Sequence, residues 1–223
     1  MRRFNLKVSP EKIPWREYKL LQLAVVAPFS IFMAYYLELV SYLSRKNSKL
    51  ENFDRVPENA ILFGFHEDIM TNYVTMRLIK KNSENPCVFS GFHGFFSYVS
   101  FGPGAMGAYD VFRFYYGKKI KPRDQIINFL AKNTNRRFGI FTDAGGPFYK
   151  VRKSLVELAI KTKRPLVPFR SRYSPGVIFF NNKFPLPIIK GKSLFGEPID
   201  CSKLSNLNIQ NARDYLQEKI DEL

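Results

Sequence analysis

The sequence has few of the residues that build metal and disulfide sites. It contains two cysteines and two histidines in 223 residues. Cys87 and Cys201 lie far apart, with no C-x-x-C or Cys/His spacing around them. Zinc sites and disulfide frameworks need such residues at short, recurring intervals. The sequence therefore argues against a zinc site and a disulfide-stapled fold, predicts no bound metal, and favours a reducing compartment.

Acidic side chains are scarce relative to basic ones. The 19 Asp and Glu residues are outnumbered by 35 Lys and Arg, which gives a formal net charge of +16. The basic residues are spread from Arg2 to Lys192 instead of forming one tail, so the whole body should attract polyanions. Nucleic acid and anionic lipid both fit this charge, and the sequence contains no recognised nucleic-acid-binding motif.

One long uncharged apolar run lies near the start of the chain. Residues 20–37 read LLQLAVVAPFSIFMAYYL, and Pro28 would weaken or kink a helix there. A bilayer core needs about 20 apolar residues, so the run has borderline length. It predicts a membrane-associating helix, with three placements open: an in-plane or re-entrant anchor, a full span, and an ordinary buried helix. Polar residues 45–58 predict a linker. We therefore predict an N-terminal segment at residues 1–55 and a domain large enough to be catalytic at residues 56–223.

After the linker, apolar strands alternate with helices of about ten residues. The predicted strands cover residues 60–65, 86–90, 109–114, 137–142 and 166–170. The predicted helices cover residues 69–80, 121–133, 153–162 and 208–223. This alternation is typical of an α/β fold with a mixed, largely parallel sheet flanked by helices. Ligands of such sheets bind beyond the carboxyl ends of strands, so polar residues that follow strands are the candidate site residues.

His66 is the first such candidate. It follows the apolar run ILFGF and precedes Glu67 and Asp68. An imidazole with a pKa of about 6.5 can take a hydroxyl proton at neutral pH, and a nearby carboxylate can fix its tautomer. We therefore predict that His66 is a general base and that Glu67 and Asp68 are the carboxylates near it. The alternatives are a surface histidine in a turn and a base at His93, whose flanking glycines indicate a loop.

Two further predicted strands end in charged residues. Asp143 follows GIFT and opens a turn that contains Gly145, Gly146 and Pro147. Glycines let the backbone approach a ligand closely, and an acid there can orient a base or a basic side chain. Arg113 ends another strand and could hold a phosphate or a carboxylate. Ordinary turn residues and a solvated arginine are the alternatives, but the shared sheet edge predicts one pocket for both charged residues and the base.

The order of these features resembles the lysophospholipid (glycerolipid) acyltransferase superfamily, closest to a branch of uncharacterised bacterial members. That branch has a histidine after an apolar strand, an arginine after a glycine-containing strand, an Asp-Gly-Pro-Arg-Gly-Pro turn, a helix, and a strand that ends in proline. The similar positions here are His66 and residues 107–113, 143–147, 154–162 and 164–168. The resemblance covers residues 60–200.

The resemblance implies transfer of a fatty acyl group from an acyl thioester, on coenzyme A or acyl carrier protein, to a hydroxyl of a lysophospholipid or other lipid acceptor. It implies no cofactor beyond that donor, anionic membrane lipids as partners, no nucleic acid, and a location at the cytoplasmic face of the inner membrane. His66 and Asp68 would be catalytic. The implied substrate-binding residues are Arg113, Asp143, Gly145, Gly146 and Pro147.

The chain departs from the superfamily's motifs in two places. The usual first motif is His-x4-Asp, but the fifth residue after His66 is Thr71. The turn that begins at Asp143 is one residue shorter than the branch pattern and lacks its arginine. These departures leave a second hypothesis, a non-catalytic lipid-binding or membrane scaffold protein with a decayed acyltransferase site.

Overall fold

The architecture is that of a computed structural model. It describes residues 20–69, 71–82, 87–92, 110–114, 120–143, 149–179 and 182–223. The strands are β1 Ser48–Glu51, β2 Ile61–Gly64, β3 Val88–Phe92, β4 Asp110–Phe114, β5 Phe138–Phe141, β6 Leu166–Phe179 and β7 Asn182–Phe195. The helices are α1 Leu20–Ser44, α2 Asn72–Asn82, α3 Pro122–Lys132, α4 Lys153–Thr162, α5 Cys201–Ser205 and α6 Ile209–Asp221.

The described strands form a seven-stranded sheet in the order β1-β7-β6-β2-β5-β3-β4. Neighbouring strands are parallel except for β6 and β7, which are antiparallel. This confirms the predicted mixed, largely parallel sheet flanked by helices. From β2 the chain moves towards β3 and β4 on one side, and from β5 it crosses to β6 on the other. Such a reversal opens a crevice at the carboxyl end of the central strand.

Alternation along β2 sends its side chains into two cores. Ile61, Phe63 and Phe65 pack on the face that is covered by α3, α4, α5 and α6. Leu62 packs on the opposite face, under α1 and α2. Side chains alternate with a period of two along a strand, so the next position of this second set beyond the strand is His66. The sheet is therefore the middle of three layers, and the candidate base continues the α1 and α2 side.

The second half of α1 is a core helix. Met33, Leu37 and Val40 are buried against α2 and the strands β6 and β7. The Glu38 carboxylate accepts hydrogen bonds from the Tyr73 hydroxyl at 2.5 Å and from the Arg77 guanidinium of α2 at 2.7 Å. These contacts fix α1 to the same body as the sheet. In the part of the chain that the structure describes, no helix combines the length and apolarity that crossing a membrane requires.

The strands at one side of the sheet extend beyond the sequence prediction. β1 lies within residues 45–58, which we predicted to be a linker, and it pairs with β7. β6 was predicted to end at Arg170, but it continues to Phe179 and returns as β7 in a long hairpin. The pairing of β1 with β7 joins residues on both sides of the boundary predicted at residue 55.

A buried arginine holds the amino end of the sheet. Arg164 is 4% exposed, and its guanidinium donates to the carbonyl oxygens of Leu130 at 2.8 Å and Arg136 at 2.9 Å. It also donates to the carbonyl of Asn133 at 2.5 Å. Carbonyls at the end of a helix lack helical partners, so a cation there satisfies the end of α3. The same side chain thereby joins α3 to the loop that leads into β5.

We predict that Arg164→Met lowers the free energy of unfolding by about 3 kcal/mol, because several buried carbonyls lose a charged donor at once. Urea unfolding followed by circular dichroism measures the change. Arg213→Met, on the exposed side of α6, is the matched control and should shift stability by no more than about 0.5 kcal/mol. Equal stability of the two variants would contradict the structural role of Arg164.

Candidate functional site

His66 stands directly beyond the carboxyl end of β2. It opens a 3-10 turn, His66–Ile69, in which the Asp68 N–H donates to the Phe65 carbonyl at 3.1 Å. The imidazole is edge-on to the Phe141 ring, with centroids 6.1 Å apart. Since β2 is the central strand at the reversal of strand order, this position puts the imidazole at the crevice.

Asp143 follows the neighbouring strand β5 and is completely buried. Its Oδ1 accepts the His66 N–H at 2.6 Å, and its Oδ2 accepts the Tyr149 N–H at 3.0 Å. The parallel pairing of Gly64 with Phe141 brings these two strand ends side by side. One carboxylate therefore fixes the backbone of both the candidate base and Tyr149.

The environment of His66 favours its neutral form. Burial lowers the pKa of the imidazole below its ordinary value of 6.5, and the negative charge of Asp143 partly offsets that shift. A neutral imidazole at pH 7 is the form that accepts a proton. The Nδ1 atom is buried and has no hydrogen-bond partner among the described residues. Within that part of the chain, no carboxylate fixes the tautomer of the ring.

Asp68, predicted as the acid for His66, lies against an arginine. Its Oδ2 is 3.3 Å from Arg170 Nε, and Arg170 Nη2 is 3.8 Å from Glu67 Oε2. The guanidinium also lies over the Phe65 ring, 5.2 Å from its centroid. These contacts hold the 3-10 turn in place, and no hydrogen bond joins Asp68 to Nδ1 of the imidazole. A catalytic role for Asp68 stays a prediction.

The sequence interpretation missed Arg170 and Tyr149. Arg170 follows the apolar run LVPF, so the rule that selected Arg113, a cation after a strand, applied to it as well. Tyr149 gave no such signal, because its place depends on a positive φ of 58° after the turn. Its hydroxyl donates to the Glu67 carboxylate, and burial together with that carboxylate raises the pKa of the phenol. The hydroxyl therefore stays protonated at neutral pH.

Arg113 lies on β4, the strand at one edge of the sheet. Two strands, β5 and β3, separate β4 from β2, which puts the axes of β2 and β4 about 14 Å apart at ordinary strand spacing. Its backbone pairs with Gly91 near the carboxyl end of β3. The predicted pocket shared by Arg113 and His66 stays a prediction, because the described part of the structure does not include the arginine side chain. The described residues also do not include Gly145, Gly146, Pro147 and the rival base His93.

The described residues contain neither a metal-binding cluster nor an activated cysteine. They include no group of three His, Cys, Asp or Glu side chains that could hold a metal ion. Burial raises the pKa of the Cys87 thiol to about 12 and also raises that of Cys201. A cysteine nucleophile needs a lowered pKa, so both thiols are poorly suited to that role.

The fold resembles that of a solved acyltransferase. The crystal structure of the 1-acyl-sn-glycerophosphate (LPA) acyltransferase PlsC from Thermotoga maritima matches 93% of this chain and 97% of its own, with a TM-score of 0.50 and 15% identity. No sequence model of a protein family and no curated protein matches the chain. At this identity the likeness shows the fold alone and assigns neither a superfamily nor residue roles.

We predict that the His66 imidazole titrates with a midpoint below 6.5, because burial outweighs the opposing charge of Asp143. The chain has two histidines, so His93→Ala leaves a single imidazole whose proton and nitrogen shifts can be followed by NMR. The fraction of neutral base should then be highest above pH 6.5 and fall as the pH drops through the lower midpoint. A midpoint at or above 6.5 would show that the charge of Asp143 outweighs burial.

Proposed function

We propose that this chain is an acyltransferase that moves a fatty acyl group from an acyl thioester, on coenzyme A or acyl carrier protein, to a hydroxyl of a lysophospholipid or other lipid acceptor. The observation that carries the proposal is the contact between His66 and Asp143 at the carboxyl end of the central strand. It occurs in a fold like that of an LPA acyltransferase. A partly buried neutral imidazole in this place is suited to deprotonate a hydroxyl.

In the proposed reaction the acceptor oxygen attacks the thioester carbonyl carbon while the imidazole takes the hydroxyl proton. Since Nδ1 of His66 is buried, Nε2 is the atom that receives it. The negative charge of Asp143 stabilises the imidazolium that forms. The tetrahedral intermediate then collapses, the carbon–sulfur bond breaks, and the imidazolium returns its proton to the leaving sulfur. The products are a new ester and a free thiol.

Asp143 acts in this proposal as a positioning residue, because main-chain N–H groups already occupy both of its oxygens. We assign the polar head of the acceptor to Arg113 and to the turn with Gly145, Gly146 and Pro147, as the family resemblance implies. Arg170 is shared between two carboxylates, so we assign it to holding the turn that carries the base.

The outer face of α1 supports contact with the membrane that supplies the acceptor. Apolar side chains recur along this face and are exposed: Ile31, Phe32, Tyr35, Leu39, Tyr42 and Leu43. The Arg45 guanidinium lies over the Tyr42 ring at 4.3 Å. An apolar stripe that ends in tyrosine and basic residues is typical of a helix in the interface of an anionic bilayer. We therefore propose in-plane contact at the cytoplasmic face of the inner membrane.

A second candidate function is a non-catalytic lipid-binding or membrane scaffold protein of the same fold. One observation favours it: the buried Nδ1 of His66 has no carboxylate partner among the described residues. The acyltransferase and the scaffold share the membrane surface and differ in turnover. Vesicle binding without acyl transfer, with either donor carrier, identifies the scaffold.

We predict that His66→Ala slows acyl transfer by about 10²- to 10⁴-fold, the usual contribution of a general base, while the fold stays intact. The assay follows a labelled acyl group from acyl-CoA or acyl carrier protein into lysophospholipid, with circular dichroism as the folding check. His93→Ala is the matched control and should keep substantial activity. A folded and fully active His66 variant, or loss of activity in the His93 variant alone, would assign the base elsewhere.

We also predict that Phe32→Glu with Leu39→Glu weakens binding to vesicles of anionic phospholipid by at least about tenfold, because two apolar side chains no longer enter the bilayer. Substitution is preferable to deletion, since Met33 and Leu37 of the same helix belong to the core. Leu207→Glu with Ile209→Glu changes two similarly exposed apolar residues and should leave binding unchanged. Equal binding of both double variants would place the membrane surface elsewhere.

A further inference from the structure

The C-terminal helix reaches the backbone that follows the Asp143 turn. Gln217 on α6 uses both ends of its side-chain amide: Nε2 donates to the Tyr149 carbonyl at 3.1 Å, and Oε1 accepts the Val151 N–H at 2.8 Å. Asp221, one helical turn later, accepts from the same Nε2 at 3.0 Å and holds the amide in that orientation. A single side chain therefore joins residues 149–151 to α6 by two hydrogen bonds.

A series of hydrogen bonds connects Gln217 to the candidate base. Tyr149 donates its N–H to one oxygen of Asp143, whose other oxygen accepts the His66 N–H. We propose that Gln217 is a positioning residue for the active site, which sets the place of Asp143, and through it His66, by fixing Tyr149. This role rests on the proposed function insofar as His66 is the base of an acyl transfer.

The two backbone partners of Gln217 require a side-chain amide. The Tyr149 carbonyl needs a donor and the Val151 N–H needs an acceptor, and a side-chain amide offers both on one planar group. A carboxylate would offer acceptors alone and would also face Asp221. Tyr149 has a φ of 58°, which non-glycine residues rarely adopt, so the surrounding contacts must hold it there.

Positioning by Gln217 is separable from the stability of α6. The helix is anchored in the core by Ala212, Leu216 and Ile220, which are buried. Gln217 is only partly buried, and its partners belong to residues 149–151 and to its own helix. Removing its amide therefore leaves the packing of α6 in place while releasing the backbone beside the site.

The test compares Gln217→Ala with Gln210→Ala, a glutamine of the same helix whose amide bonds to Asp214 one turn away. Protein labelled with ¹⁵N-histidine gives two backbone amide signals, and His66→Ala assigns them. We expect Gln217→Ala to move the His66 amide signal, to speed its hydrogen exchange by about tenfold, and to lower kcat for acyl transfer about tenfold with KM little changed. Gln210→Ala should leave all three at wild-type values.

Gln217→Glu is the second variant, since it keeps the size of the side chain and removes the donor to Tyr149. It should shift the His66 amide in the same direction as Gln217→Ala at pH 7. If either Gln217 variant is folded and its His66 amide signal is the same as in the wild-type protein, the positioning role is overturned. Unfolding of both variants would overturn it as well. Failure of the proposed function looks different: the wild-type protein transfers no acyl group, while the amide signal still responds to Gln217.

Discussion

The Asp143 carboxylate accepts the main-chain N–H groups of both His66 and Tyr149, and the arrangement of the site depends on it. Each hydrogen bond to a charged acceptor contributes about 1.5–3 kcal/mol, and a completely buried carboxylate that lost its donors would cost several more. The ends of β2 and β5 cannot move apart without that cost. Positioning of the candidate base and stability of the strand ends therefore follow from one interaction.

Other contacts stabilise the two ends of the sheet. At the amino end of the sheet, Arg164 satisfies carbonyls of α3 and of the loop into β5, so that end is closed by a buried cation. At the carboxyl end, Arg170 holds the acidic residues that follow His66. The face of α1 that packs on the sheet is buried, while its apolar outer face is exposed. In the proposed function, the rigid sheet holds the candidate base and the apolar surface of α1 contacts the membrane.

Much of the layout could be predicted from sequence, because local periodicity decides it. The helix at residues 153–162 has the predicted bounds, and His66 and Asp143 follow adjacent parallel strands. The long hairpin of β6 and β7 was not predicted from the strand pattern, because Pro185 and Pro187 interrupt that pattern in β7. The partner of Asp68 was missed for another reason: Arg170 reaches it only because β6 lies beside β2, and strand order is not visible in a local pattern. The apolar run of α1 likewise does not reveal which face is buried.

The central claim is that Asp143 contributes to catalysis by positioning His66, and a double-mutant cycle of acyl-transfer rates tests it most directly. Rates are measured for the wild-type protein, Asp143→Asn, His66→Ala and the double variant, with folding of each checked by circular dichroism. If the two residues act as one unit, Asp143→Asn slows transfer strongly in the wild-type background and adds little once the imidazole is absent. An equal slowing in both backgrounds would contradict the account, because Asp143 would then act independently of His66.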